Sequence, residues 1–91
     1  MSADNYLRVR KFGGKYYVGM EFASDQKQTN GPPRENEKAF SDPMAAILGA
    51  FARSEMEYLE YGVQVDAEVR LDADARAREK IEDEELTRSR A

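Results

Sequence analysis

A chain of 91 residues makes one domain at most, and at this size folding buries only about 60–65% of the unfolded surface, so the stability margin is thin. There is no Cys and no His, which excludes a disulfide framework, a thiolate metal site and the usual neutral-pH proton shuttle. The net charge is −4, with four Lys/Arg against two acids in residues 1–22 and an excess of three acids in each of 23–65 and 66–91. Such a balance disfavours broad nucleic-acid binding, which depends on clustered Lys/Arg.

The first residues, Met1-Ser2-Ala3-Asp4-Asn5, are polar and lack a signal-peptide apolar region. No stretch approaches the roughly 20 apolar residues that span a bilayer, so the expectation is a cytoplasmic protein without a membrane. Tyr6–Phe12 and Tyr16–Phe22 alternate with period two and are rich in β-branched and aromatic residues, the pattern of two strands. Between them Gly13-Gly14 suits a type I′ hairpin turn, in which both loop residues take positive φ. That turn pairs Phe12 with Lys15, Val9 with Val18 and Tyr6 with Glu21. Parity then puts Leu7, Val9, Tyr16, Val18, Met20 and Phe22 on a core face, with Lys11 at its turn end. Tyr6, Arg8, Arg10, Phe12, Lys15, Tyr17 and Glu21 fall on the opposite face.

Residues 23–39 are polar and contain Asn30-Gly31-Pro32-Pro33, which predicts a long flexible loop. Lys38-Ala39-Phe40 follows as a short third strand. Asp42 as N-cap and Pro43 at the first helical position start a helix, which Gly62 ends. Its large apolar residues Met44, Ile47, Leu48, Phe51, Tyr58 and Leu59 form one stripe, expected to lie on the hairpin. Glu55 interrupts that stripe and has Lys11 as its counterpart on the hairpin. Val63-Gln64-Val65 reads as a further short strand. Asp66 then caps a second helix, Ala67 to about Thr87, whose apolar residues make no clean stripe and which reads as a charged helix or tail.

Catalytic groups are scarce. Nucleophilic catalysis needs an activated nucleophile beside a base, and the chain offers only Ser or Thr with Lys, at no telling spacing. Glu57 and Glu60 face away from the apolar stripe, as a solvated helix surface does. The run Glu82-Asp83-Glu84-Glu85 lacks the alternating ligands and central glycine of a calcium loop. Gly13-Gly14 precedes no helix and is no phosphate cradle. No catalytic residue, cofactor or metal is assigned.

The outer hairpin face, where Tyr6, Phe12 and Tyr17 are interleaved with Arg8, Arg10 and Lys15, is the candidate partner-binding surface, because aromatics beside Arg are typical of binding hot spots. They are also typical of single-strand stacking platforms. The segment G-G-K-Y-Y-V-G-M-E-F, followed by S-D-P-M-A-A-I-L-G-A-F-A, resembles the hairpin-then-helix core of HicB-type antitoxins over residues 6–61. The long 23–39 loop departs from that family's compact connection. The resemblance implies a small protein that binds and blocks another protein, and no site residue is carried over from it.

The reading is therefore an α+β domain at residues 1–66, with a hairpin and one or two short extra strands on one long helix, followed by a charged helix or tail at 67–91. Its expected function is a non-enzymatic interaction module of inhibitor, antitoxin or anti-defence type, such as a phage or mobile-element accessory protein. A homodimer is expected, formed through an unpaired hairpin edge and the Tyr6, Phe12 and Tyr17 patch. Two rival readings are a nucleic-acid binder using the basic-aromatic face and a nucleotide sponge with its pocket at an oligomer interface.

Overall fold

The computed structural model of the chain describes residues 5–23, 30–57, 59 and 62–89. Strands β1 (Asn5–Phe12) and β2 (Lys15–Phe22) form the hairpin, in the register expected, from Asn5 opposite Phe22 to Phe12 opposite Lys15. Gly13 and Gly14 take φ of 57° and 83°, which L side chains adopt at a cost and glycine does not. Strand β3 (Lys38–Phe40) adds antiparallel to the outer edge of β2. Helix α1 (Pro43–Glu57) then crosses the sheet, and strand β4 (Val63–Val65) joins β1 in parallel. The sheet order is β3-β2-β1-β4. Helix α2 (Ala67–Ser89) follows. The architecture is α+β, with a four-stranded mixed sheet and two helices.

The start of α1 is set locally, as expected. The Asp42 carboxylate accepts from the Ala45 N–H at 2.9 Å, and its carbonyl accepts from Ala46. The helix ends earlier than predicted, at Glu57; Tyr58, Glu60 and Tyr61 lie outside the described residues. Gly62, at φ 65°, brings the chain into β4, and its carbonyl accepts from Leu7 at 2.9 Å.

The core consists of Leu7, Val9, Tyr16 and Val18 from the hairpin, Ala46 and Ala50 from α1, and Val69 from α2. Parity thus sorts the hairpin correctly, apart from Phe22, which is exposed at the sheet's end. Complete burial of Leu7 and Val9 stabilises the fold by about 1.5–3 kcal/mol each. Because Val69 and Ala73 are buried, the first turns of α2 belong to the core and do not form a detached tail.

The face of α1 that meets the sheet is rotated from the one expected: Ile47 and Leu59 of the large stripe pack against the core, whereas Met44, Leu48 and Phe51 do not. Pro43, Ala46 and Ala50 face inward, and Gly49 lies against the Phe40 ring. Met44, Leu48 and Phe51 are 41%, 62% and 47% exposed. On the 100° helical wheel the small residues and the large ones form separate stripes. The small stripe lets the helix axis approach the sheet closely, and Met44, Leu48 and Phe51 are left outside. Glu55 therefore sits on the solvent side, and Lys11 bonds Asp72 of α2, at 2.7 Å.

Candidate functional site

Two surfaces compete as a site, the outer hairpin face singled out by sequence and the outer face of α1. On the first, the described part of the 23–39 loop is not a free strap, because residues 30–37 lie across the hairpin. Residues 24–29, the early part of the predicted flexible loop, lie outside the described residues.

Gly19 allows this cover. A Cβ there would stand 2.5 Å from Cγ of Glu37, so any side chain would push the segment off. Seated over Gly19, Glu37 accepts two bonds from Arg10, each 2.8 Å, in the bidentate geometry that is the strongest form of ion pair. It also accepts from the backbone and side-chain nitrogens of Arg34, at 3.0 and 3.2 Å. Arg34 reaches on to Glu21 at 3.2 Å and to the Met20 carbonyl at 3.3 Å. Arg10 further donates to the Gly31 carbonyl at 2.8 Å. Arg8 grips Asp66, between β4 and α2, through Nε at 3.0 Å and Nη2 at 2.7 Å, and reaches Asn30 at 3.1 Å. Burial pushes the Glu37 carboxyl up, but the bonds from Arg10 and Arg34 outweigh this and bring it down to about 2. Among the described residues no buried side-chain nitrogen or oxygen lacks a partner.

This network corrects the expectation of an open face. Tyr6, Arg8 and Arg10 are buried, Tyr17 is half-buried, and Phe12 and Lys15 are exposed at the turn end. The structure brings Arg8 and Arg10 together with acids contributed by the loop and by Asp66, so their charge is balanced internally. Arg10 also lies 5.8 Å from the Phe12 ring centroid. The expected edges are closed as well: β4 pairs with β1, and β3 with β2. Both outer strands have three residues, and short edges limit strand addition.

On the opposite face Asp72 accepts from the Tyr16 hydroxyl and from Lys11 Nζ, both at 2.7 Å, tying α2 to the hairpin. Burial and the bond to Asp72 push the Tyr16 phenol up, and the bond from Lys11 holds Asp72 down. This constellation is a clamp, with the phenol kept protonated. Among the described residues no three carboxylates come together as a metal site, and no helix is long and apolar enough to cross a membrane.

The surface that sequence reasoning misplaced is the outer stripe of α1. Two depressions lie between α1 and α2; Met44 borders both and Phe51 one of them, and Leu48 is exposed on the same stripe outside them. One, of about 260 Å³, is bordered by Ile47, Phe51, Val65, Arg70 and Ala73. The other, of about 310 Å³, is bordered by Met44, Ala73, Arg76, Ala77 and Lys80. The readable signal was the second stripe of small residues, Ala46, Gly49 and Ala50, which fits close packing better than the large stripe does. On the far side of α1, Val18, Phe40, Gly49, Ala52 and Met56 border a further open groove of about 420 Å³. No family model, no curated protein and no solved structure matches the chain.

Proposed function

We propose that the protein is a non-enzymatic protein-interaction module of inhibitor or adaptor kind, and that it docks through the outer face of α1. The observation that carries this reading is the exposure of Met44, Leu48 and Phe51 along one helical stripe. A helix that is apolar on two sides is ordinarily covered on both, and exposed contiguous apolar patches mark interaction sites. The resemblance to HicB-type antitoxins, which neutralise a small toxin, points the same way. The nucleic-acid reading needs Arg8 and Arg10 to be available, and both are held in ion pairs with acids of the same chain.

The test is capture from a lysate of the producing cells on immobilised wild type, Leu48→Asp and Lys15→Ala proteins. Retention of the same protein by wild type and Lys15→Ala, with loss on Leu48→Asp, supports the reading. Retention of nucleic acid, or a protein retained equally by all three, overturns it.

A further inference from the structure

We infer that in the absence of a docked partner the α1 stripe is covered by a second copy of this chain, packed antiparallel about a two-fold axis near Ile47 and Leu48, which a partner displaces; this rests on α1 being the docking face. The spacing of the stripe is self-complementary. With the axis between residues 47 and 48, Met44 of one copy stands opposite Phe51 of the other, and Leu48 opposite Ile47. Met44 and Phe51 lie seven residues apart, a separation of about 10.5 Å, so both contacts form at once, each pairing a thioether with an aromatic ring.

The surface on either side of the stripe matches this register. The Phe51 ring of one copy arrives beside Met44 of the other, where the depression bordered by Ala73 and Ala77 is about 310 Å³. The small alanines leave room for a ring. In return Met44 meets the depression of about 260 Å³ beside Phe51. Glu55 is the acid that interrupts the stripe. One turn beyond Phe51, it extends past Met44 of the other copy, where Asp42, Arg76 and Lys80 border the same depression; Asp42 and Arg76 pair with each other at 3.1 Å, which leaves the Lys80 charge in excess. A residue with no counterpart within its own chain's stripe thereby gains an opposite charge in the pair.

The other faces offer less. The outer hairpin surface is covered by residues 30–37, and the outer strands of the sheet are short. Three large side chains make a patch on the order of a few hundred Å², below the roughly 800 Å² per partner of a standard stable interface. The dimer is accordingly a weak one that exchanges.

Sedimentation equilibrium of the full chain from micromolar to millimolar concentration tests the inference. The expected result is a shift from the monomer mass of 10.4 kDa to twice that value, abolished by Leu48→Asp with an unchanged circular dichroism spectrum. Glu55→Lys should weaken the dimer several-fold, and adding Lys80→Glu should restore it. Because the chain has no Cys, Leu48→Cys gives a second readout: a short bis-maleimide should link its copies, whereas Leu71→Cys, exposed on α2, should not link. A wild type that stays monomeric at millimolar concentration, or a dimer that Leu48→Asp leaves intact, overturns the inference. Failure of Lys80→Glu to restore the Glu55→Lys dimer overturns the antiparallel register. A monomer whose capture of another protein is still lost on Leu48→Asp would sink the self-docking alone and leave the proposed function standing.

Discussion

Glu37 and Gly19 act as one unit, a carboxylate seated where the hairpin carries no side chain. The Glu37 side chain is 1% exposed and its carboxyl lies at about 2, below the 4.5 of the free group. A folded-state value below the unfolded one means stability that is complete above about pH 5 and is lost as pH falls towards 2. The shift corresponds to about 3 kcal/mol, an amount that matters when a domain of this size has on the order of 5 kcal/mol in total. Glu37→Gln should therefore lower stability at pH 7 by about 3 kcal/mol, because Arg10 stays buried without its countercharge. It should also flatten the acid limb of the stability curve. Urea melts at pH 7 and pH 3 check both; a variant as acid-sensitive as wild type would show that another carboxylate controls the limb. Gly19→Ala should cost about 1–3 kcal/mol by overpacking. In the Glu37→Ala background its effect should shrink, because the Cγ it meets is gone.

At the scale of the element, α1 has a small-residue face and a large-residue face, and they respond differently to substitution. Ala50→Leu forces a branched side chain into a contact that is fully buried and should destabilise by about 1–3 kcal/mol. Phe51→Ala, from which a core reading of the large stripe expects loss of folding, should cost less than about 1 kcal/mol at dilute concentration, because the ring is half in solvent. Thermal melts of the two variants at micromolar concentration decide the orientation of the helix. If Phe51→Ala were the more damaging, α1 would be turned the other way. The hairpin was legible residue by residue, since strand parity and a two-glycine turn together leave one register. The cover over it was not legible, because the bonds that hold it join residues far apart in sequence, 27 for Arg10–Glu37 and 22 for Arg8–Asn30.

For the whole molecule, the consequence of β4 and α2 is that the hairpin depends on residues late in the chain. Val63 and Val65 pack on the core, Val69 is within it, and the Asp66 N–H donates to the Val9 carbonyl at 3.0 Å. A chain ending at residue 66 keeps β4 but lacks Val69, Ala73 and the Asp72 clamp on Tyr16 and Lys11. It should lose cooperative thermal unfolding by circular dichroism, and a truncated chain that melts as sharply as the full one would show α2 to be an appendage. Ending at 82 instead keeps all three of those groups and should preserve the transition. Polar contacts thus join the β1–β2 hairpin to the loop on one face and to α2 on the other, and leave the outer side of α1 apolar and open.

The sequence by itself determined the hairpin and its register, the core parity of Leu7, Val9, Tyr16 and Val18, the Asp42–Pro43 helix start and the presence of a second helix. Each of these rests on neighbours within a few residues: period-two alternation, a positive-φ turn, a capping carboxylate. The tertiary structure alone decided which face of α1 meets the sheet, where the 30–37 segment lies and which acids take up Arg8 and Arg10. Periodicity gives most weight to large side chains, so it selected Met44, Leu48 and Phe51 as core. Packing depends also on how closely two backbones can approach, and Ala46 and Ala50 allow the closer approach. The charges followed from that geometry: once residues 30–37 crossed Gly19, two arginines that read as a binding surface had their partners within the chain.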